Sequence, residues 1–354
     1  MTQQKDKIKQ PPYAILRGGY KYKETLGMRR VTTYCMDMIE TEKILYVLIR
    51  ADGSGGHIRR INWQDKDLDV FGNFKWPVQM IQDSQGVIYV SDEGDNCIYS
   101  LVDTGESAVV PIDPDTLGSN LDYSAIPKKI GEGKLDSPSG IAFDLEGNLL
   151  VVDTGNNRVQ KFSTDGKFIE TIISEDEDNS LNMPWGIAVN HNGEIIISDW
   201  RNNRICLFDN KGKFIKSFGE IAKSLEGDML QLDGPAGLSI DDDGDIYVAD
   251  RNNNRVVVYD RDGKYVTQFT GDATLSKIGK TYIMSSPRVL RLKEMANREI
   301  WTKLRAPVSV RTYRNLIYIP DFGCHRLQIY EKESYPLTKE EIFEKPNHPT
   351  LYNV

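Results

Sequence analysis

The sequence has no hydrophobic run long enough to cross a membrane. Its longest uninterrupted apolar stretch runs from Ile44 to Ile49, far short of the roughly 18 residues that a membrane helix needs. The opening segment MTQQKDKIKQ carries charge but no apolar core, so it lacks the pattern of a secretory signal. We therefore predict a protein without a membrane span or a signal peptide.

Cysteine is also scarce. The 4 cysteines are widely spaced and form no C-x-x-C pair, namely Cys35, Cys97, Cys206 and Cys324. This spacing excludes a zinc ribbon or a redox dithiol encoded by a local motif. It favours a reducing compartment, and we expect a cytoplasmic protein.

Positive charge is in deficit. The 354 residues include 44 Lys and Arg against 52 Asp and Glu, a formal net charge of −8. Such a balance repels phosphate backbones at long range and disfavours a nucleic-acid partner. Hydrophobic residues make up 39% of the chain and aromatic residues 9%, which is enough for a core and excludes a disordered or collagen-like chain.

What the sequence does contain is an internal repeat. Counted from a proline, Gly, Asp, Arg and Gly follow at offsets +2, +15, +20 and +28, and three copies agree, beginning at Pro138, Pro184 and Pro235. A fourth copy begins at Pro77 and has Cys97 in place of the arginine. Repeats of this length indicate a solenoid or a propeller.

Two further copies complete the series. One begins at Pro307 and is one residue shorter. The other aligns if Tyr34 takes the proline position, Ile44 to Val47 form the second strand, and His57 falls near the arginine position after a lengthened loop. The chain therefore holds six copies.

Each copy has the pattern of four short strands. In the copy from Pro138 these are GIAFD, LLVVD, RVQKF and FIETI, separated by Gly-containing and Asn-containing turns. One such sheet buries too little surface to be stable alone, so six must pack around an axis. We predict an all-β, six-bladed β-propeller of four-stranded antiparallel blades over residues 11–333, followed by a C-terminal tail over 334–354.

The last copy lacks an outer strand of its own. The segment from Gly19 to Gly27 resembles the fourth strands at 212–219 and 263–271. We predict that the N-terminal segment supplies the outer strand of the last blade and thereby closes the ring.

Three segments carry a family resemblance: SPSGIAFDLEGNLLVVDTGNNRVQKFSTDGKF, MPWGIAVNHNGEIIISDWRNNRICLFDNKGKF and GPAGLSIDDDGDIYVADRNNNRVVVYDRDGKY. They resemble NHL repeats, and the resemblance implies a six-bladed propeller. Propellers of this family serve as protein-binding modules, RNA readers, sensor domains and the metal-dependent peptidyl-amidating lyase. That resemblance does not extend to the zinc histidines of the lyase, which follow the blade-opening proline, because this sequence has Val78, Ser139, Trp185, Ala236 and Val308 there.

The repeated acidic and basic residues have a structural interpretation. Four aspartates lie five residues before four arginines: Asp153, Asp199, Asp250 and Asp321 before Arg158, Arg204, Arg255 and Arg326. Because catalysis rarely needs four copies of one pair, we interpret them as braces of the turn between the second and third strands.

Loop lengths distinguish the two ends of the ring. The turns at one end are short, whereas the crossovers between blades at the other end are long, at 113–136, 173–183, 219–233 and 271–306. Binding residues usually lie on long loops held by a rigid scaffold. We therefore expect the crossover face to be the functional face.

The longest crossover carries a predicted helical insertion at about 286–304. Ser286-Pro287 is typical of a helix start, and apolar residues follow at spacings of three and four up to Ile300. Basic residues, among them Arg288 and Arg291, outnumber acidic ones. Two interpretations stay open, a solvated helix face with charged tips and a docking site for an anionic ligand or an acidic partner.

Candidates for a pocket at the axis are the residues beside the proline or the repeated aspartate: Tyr34, Glu93, Trp185, Trp200, Arg251 and Phe322. Aromatic walls with one arginine and one carboxylate suit a small polar ligand, although a tryptophan here can equally plug the channel. Arg251 also matches the position of an arginine that the resembling lyase uses on its substrate.

No cofactor is predicted from the sequence. Weak metal candidates are His57, His325 and Cys97, which zinc would require within ligand reach of one point. The acidic run Asp241–Asp245 lacks the alternating calcium-loop pattern and the distal glutamate, so it reads as a hairpin turn.

Two functions therefore stay open. The first is a module that binds a protein or a small, anionic ligand through the crossover face. The alternative is a lyase or hydrolase with its active site at the axial mouth of the same face.

Overall fold

The chain folds into six four-stranded antiparallel sheets arranged as a β-propeller. The structure is a computed structural model that describes residues 14–27, 32–51, 55–103, 128–131, 134–174, 179–219, 231–274, 276 and 302–337. Within these ranges, helical structure is limited to single 3-10 turns such as Thr154–Asn156, Trp200–Asn202 and Phe322–Cys324 and to residue 302. No helix of this described part is long and apolar enough to cross a membrane.

The first three blades follow the chain in order. Blade 1 comprises β2 (Cys35–Glu40), β3 (Ile44–Ala51), β4 (Gly55–Asn62) and β5 (Asp67–Phe74). Blade 2 comprises β6 (Pro77–Gln82), β7 (Val87–Asp92), β8 (Cys97–Val102) and β9 (Lys128–Ile130). Blade 3 comprises β10 (Pro138–Phe143), β11 (Leu149–Asp153), β12 (Arg158–Phe162) and β13 (Phe168–Ile173).

Blades 4 and 5 also follow the chain in order, whereas blade 6 combines strands from both ends of the described chain. Blade 4 comprises β14 (Pro184–Val189), β15 (Ile195–Asp199), β16 (Arg204–Phe208) and β17 (Phe214–Phe218). Blade 5 comprises β18 (Pro235–Ile240), β19 (Ile246–Asp250), β20 (Arg255–Tyr259) and β21 (Tyr265–Phe269). Blade 6 comprises β22 (Arg311–Tyr313), β23 (Leu316–Asp321), β24 (Arg326–Leu337) and, as its outer strand, β1 (Ala14–Leu26).

The predicted closure by an N-terminal strand is confirmed. Strand β1 pairs antiparallel with β24 from Leu26 opposite Leu327 to Ala14 opposite Leu337. Leu26 is fully buried in the apolar cluster between blades 6 and 1. An outer strand from the other end of the chain thus joins the sixth sheet and removes a free edge.

Repeated glycines let the inner strands approach one another around the axis. A Cβ atom on Gly140 of blade 3 would lie 2.5 Å from the carbonyl oxygen of Trp185 in blade 4. A Cβ atom on Gly186 would lie 2.6 Å from the carbonyl oxygen of Ala236 in blade 5. Backbone proximity therefore explains the glycine at offset +2 in these blades.

The alignment of blade 1 requires a correction. Cys35 pairs with Ile49, as the blade-opening Pro138 pairs with Asp153, so Cys35 and not Tyr34 occupies the proline position. Tyr34 has a φ of 49°, and the residues just before three of the prolines have similar values, namely Ser137, Met183 and Ala306. The error arose because the two partners in blade 1 are one residue closer in sequence than in blade 3.

Some predictions concern residues that are only partly described. The predicted helix at about 286–304 lies outside the described residues up to residue 301, as do Arg288 and Arg291. The last strand, β24, continues to Leu337, which includes the first residues assigned to the tail. The rest of the tail lies outside the described residues.

Candidate functional site

The turn between the second and third strands is built around a buried aspartate. In blade 3 one oxygen of Asp153 accepts the backbone N–H of Asp136 in the preceding crossover at 2.7 Å, and the other accepts Arg158 Nε at 2.7 Å. A second guanidinium nitrogen of Arg158 donates to the carbonyl oxygen of Lys134 at 3.1 Å. The same pairs recur as Asp199 with Arg204, Asp250 with Arg255 and Asp321 with Arg326. Each pair thus fastens the crossover to the turn, in agreement with the structural interpretation.

A second residue of this turn links most blades to the next, and the sequence analysis missed it. Asn157 has a left-handed conformation with φ 52°, and its side-chain oxygen accepts the backbone N–H of Met183 in the next blade at 2.7 Å. Equivalent bonds join Asn96 to Ser137, Asn203 to Gly234 and Asn254 to Ala306. We call these bonds the blade links. The signal was the repeated Asn before the arginine, since asparagine tolerates this conformation and carries an acceptor.

His325 forms the blade link between blades 6 and 1. It has φ 56°, and its Nδ1 accepts the backbone N–H of Tyr34 at 3.0 Å. Its ring also lies edge-on to the Tyr34 ring, with centroids 4.6 Å apart. The lone pair of Nδ1 is therefore used by the backbone and is not available to a metal.

The other weak metal candidates occupy the arginine position of their turns. In blade 3 the arginine Arg158 lies opposite Asp153, the last residue of the second strand. His57 lies opposite Ile49 and Cys97 lies opposite Asp92 in the same way. Burial lowers the pKa of His57 to about 4. In the described part of the chain, no three His, Cys, Asp or Glu side chains are grouped as metal ligands would be.

The residues that follow the second strands converge on the axis. We define the axial mouth as the six predicted pocket residues and one addition, Arg50: Tyr34, Arg50, Glu93, Trp185, Trp200, Arg251 and Phe322. Trp185 of blade 4 and Phe322 of blade 6 both pack against the apolar cluster that contains Val78 and Val308. The structure thus brings residues from five of the six blades together at one end of the ring.

Apolar side chains close the floor of this mouth. They occupy the position after the blade-opening residue, where Met36, Val78, Ala236 and Val308 are buried. Ser139 at the same position is buried and hydrogen-bonded to Thr154 at 2.6 Å. Buried apolar side chains therefore lie beneath the axial mouth in the described residues.

Aromatic rings form two walls. The rings of Trp185 and Trp200 lie with centroids 4.2 Å apart and an interplanar angle of 39°. On the opposite side, the rings of Tyr34 and Phe322 have centroids 5.2 Å apart. Such walls can hold a flat or apolar part of a ligand.

Arg251 provides positive charge that is not neutralised by a neighbouring carboxylate in the described residues. Its guanidinium carbon lies 5.5 Å from the Trp200 ring centroid. Its Nε is buried and has no hydrogen-bond partner there. Burial lowers the pKa of Arg251, because no anion compensates for the loss of water.

Arg50 was missed by sequence reasoning, although it holds the opposite side of the mouth. Its Nε donates to the carbonyl oxygen of Pro77 at 3.0 Å, and a terminal nitrogen lies 3.3 Å from a Glu93 carboxylate oxygen. Its guanidinium also stacks on the Trp76 ring at 4.6 Å. Burial raises the pKa of Glu93 and lowers that of Arg50, and Arg251 lowers the latter further. The two arginines therefore lie within electrostatic range of each other.

The acidic run Asp241–Asp245 lies in the turn between β18 and β19 of blade 5 and forms ion pairs with Lys332 of β24. Lys332 Nζ lies 2.6 Å from Asp241, 2.7 Å from Asp243 and 2.8 Å from Asp245. Arg17 of β1 also pairs with Asp245. This hairpin turn is thus a contact between blade 5 and the closing strands of blade 6.

The comparisons with known proteins agree with this architecture. The NHL repeat model matches residues 135–162, 181–208 and 232–259, so the chain carries three NHL repeats within its six-bladed propeller. No curated protein matches the chain.

Solved structures with the same fold differ greatly in sequence. A streptogramin B lyase is 14% identical with a TM-score of 0.52, over 91% of this chain and 89% of that chain. A protein of unknown function from Bacteroides thetaiotaomicron VPI-5482 is 14% identical with a TM-score of 0.62, over 89% and 76%. An auxiliary nutrient binding protein from Bacteroides ovatus ATCC 8483 is 14% identical with a TM-score of 0.58, over 92% and 78%. At this identity the likeness concerns the fold alone.

Proposed function

We propose that this propeller is a binding module that recognises an anionic ligand at the axial mouth. The observation that carries the proposal is the state of Arg251, whose buried Nε has no hydrogen-bond partner in the described residues while its guanidinium lies beside Trp200. A buried donor left without an acceptor costs about 1–3 kcal/mol. A carboxylate or phosphate that pairs with Arg251 would recover this cost.

The surroundings of Arg251 favour a ligand that is both anionic and flat. A guanidinium binds carboxylate and phosphate groups through two parallel hydrogen bonds. Trp200 and Trp185 lie next to this charge and offer apolar surface for a ring. Arg50 adds a second positive charge, partly neutralised by Glu93. The described mouth residues therefore carry a net positive charge within an acidic protein.

The experiment compares benzoate with benzamide, which have the same shape but differ in charge. We expect benzoate to bind at least about tenfold more tightly, because a charge-assisted hydrogen bond contributes roughly 1.5–3 kcal/mol. The Arg251→Gln variant should lose this preference, measured by calorimetry and tryptophan fluorescence. Arg201→Gln is the matched control, since Arg201 lies exposed in the turn of blade 4. Equal binding of the two probes to the wild type would refute the proposal.

The alternative, a lyase or hydrolase at the same mouth, draws support from Glu93. Burial raises the pKa of this carboxyl group, as expected for a general base that works near neutral pH. The similar fold of a streptogramin B lyase suggests a first substrate to test. Incubation with a streptogramin B antibiotic, followed by mass spectrometry, separates hydrolysis, which adds one water, from elimination, which keeps the mass. Turnover that Glu93→Gln abolishes would favour this alternative over a non-catalytic module.

A cytoplasmic location remains part of the proposal. The four cysteines are free thiols, and Cys35, Cys97 and Cys206 are buried. Buried free thiols are compatible with a reducing compartment.

A further inference from the structure

One junction of the ring differs from the other five. Blade links join each of blades 2 to 6 to the next blade. In each link an Asn or His side chain accepts the backbone N–H of the residue just before the next blade's first strand. Between blades 1 and 2 the equivalent N–H belongs to Trp76, and it donates to Asp92 of its own blade at 2.9 Å. This one N–H is thus bound within blade 2, and side chains of blade 1 reach the blade 2 backbone elsewhere, as Arg50 does at the Pro77 carbonyl oxygen.

A groove opens at this junction. It has a volume of about 480 Å³ and is lined by Gly55 of blade 1 together with Asn73, Lys75, Trp76, Asp95 and Tyr99 beside it. The Trp76 side chain is 42% exposed, and Phe74 also lines the groove. We call this depression the junction groove.

The junction groove and the axial mouth share one wall. Arg50 stacks on the Trp76 ring at 4.6 Å and reaches the Glu93 carboxylate of the mouth with its terminal nitrogen at 3.3 Å. A ligand that extends past Arg50 would therefore contact both sites.

Polar groups surround the open tryptophan in the junction groove. Lys75 Nζ donates to the carbonyl oxygen of Gly94 at 2.9 Å and lies 3.8 Å from the Asp95 carboxylate. The hydroxyl group of Tyr99 donates to Asp95, and Asn73 is exposed at the rim. The groove thus combines one apolar face with an ammonium, a carboxylate and an amide at its edge.

This combination fits a sugar ring better than an aromatic group. A pyranose ring has an apolar C–H face that can stack on Trp76, and hydroxyl groups around its edge that can bond Asn73, Lys75 and Asp95. An aryl group would cover the same polar side chains without offering them hydrogen bonds, at a cost for each one buried. We propose that the junction groove binds a sugar ring and, resting on the proposed function of the axial mouth, that the whole ligand is an acidic oligosaccharide.

The test uses matched sugars. Cellobiouronic acid and digalacturonic acid are compared with their neutral counterparts cellobiose and galactobiose, and with glucuronic acid, which can fill only one site. We expect at least one acidic disaccharide to bind at least about tenfold more tightly than glucuronic acid, measured by calorimetry and saturation-transfer NMR. Trp76→Ala should abolish this gain and Trp76→Phe should retain part of it. Tyr313→Ala is the control, because Tyr313 is an exposed aromatic residue at the end of β22 in blade 6.

The outcomes separate the two proposals. If no disaccharide exceeds glucuronic acid, or if Trp76→Ala leaves the gain intact, the sugar assignment is wrong, while a benzoate preference that depends on Arg251 still supports the mouth. If neutral disaccharides bind in a Trp76-dependent way but the benzoate preference is missing, the groove assignment holds and the anionic mouth is wrong.

Discussion

Lys332 provides the sharpest test of how the ring is closed. Its ammonium group is 4% exposed and lies within 2.8 Å of three carboxylate groups, those of Asp241, Asp243 and Asp245. Lys332→Met keeps most of the side-chain volume but removes the charge. We expect the variant to lose stability because Asp241 stays buried without its cation and Asp245 keeps only Arg17.

The size of the effect follows from the burial. Removing one partner of a buried ion pair costs about 3–5 kcal/mol. A chain of 354 residues has an unfolding entropy of about 0.7 kcal/mol/K, so we expect the melting temperature to fall by about 4–7 °C. Differential scanning calorimetry measures this shift, with Lys211→Met as a control, since Lys211 is exposed in a turn.

The pH dependence provides a second readout. Without Lys332 the pKa of Asp241 in the folded state should lie further above that in the unfolded chain, because burial already raises it and Lys332 is the cation that opposes the rise. Folding then takes up protons as the pH falls, so the deficit of the variant should shrink between pH 8 and pH 5. A melting temperature within about 1 °C of the wild type at pH 8 would refute the reasoning, because the charge would then contribute nothing measurable.

Three further predictions concern the ring and its links. Deleting residues 1–27 removes the partner of β24 and exposes the apolar surface that Leu26 covers, so we expect a loss of about 5 kcal/mol or more, seen in thermal melts. Asn254→Gly keeps the left-handed backbone but removes the acceptor for the Ala306 N–H, so denaturant titration should give a loss of about 1–2 kcal/mol, and no loss would contradict the blade link. His57 has a folded pKa of about 4, below its unfolded value, so acidification below about pH 6.5 favours the unfolded chain by up to roughly 3 kcal/mol at pH 4. His57→Gln should remove this acid sensitivity, and an unchanged pH profile would contradict the burial of the ring.

The fold could be predicted because the repeat marks each blade at two separate points. The proline opens the inner strand, and the aspartate closes the second strand directly opposite it, as Pro138 and Asp153 show. The number of residues between the proline and the aspartate is therefore set by the lengths of the two strands and of the turn that joins them. Blade 1 has Cys35 and Ile49 in place of the proline and the aspartate, and the spacing between them differs. The sequence alignment of this blade was therefore wrong by one residue.

The grouping of the candidate site residues was predicted in part for the same reason. Five of its residues were found because they follow a repeated proline or aspartate, and Trp185, Trp200 and Arg251 do lie together. Arg50 was missed because it follows Ile49, which no motif marks. The junction groove was not anticipated either, although Gly56 stands where the other blades have the linking Asn or His and has no side chain to accept the Trp76 N–H.

The pairing of β1 with β24 also has a consequence for biosynthesis. Leu26 leaves the ribosome about 300 residues before its partner Leu327. Until then, the apolar side of the first-made strand has no sheet to join, and bringing such distant segments together is entropically slow. We expect nascent chains that stop before residue 326 to remain open and to be digested by protease, whereas released chains resist it.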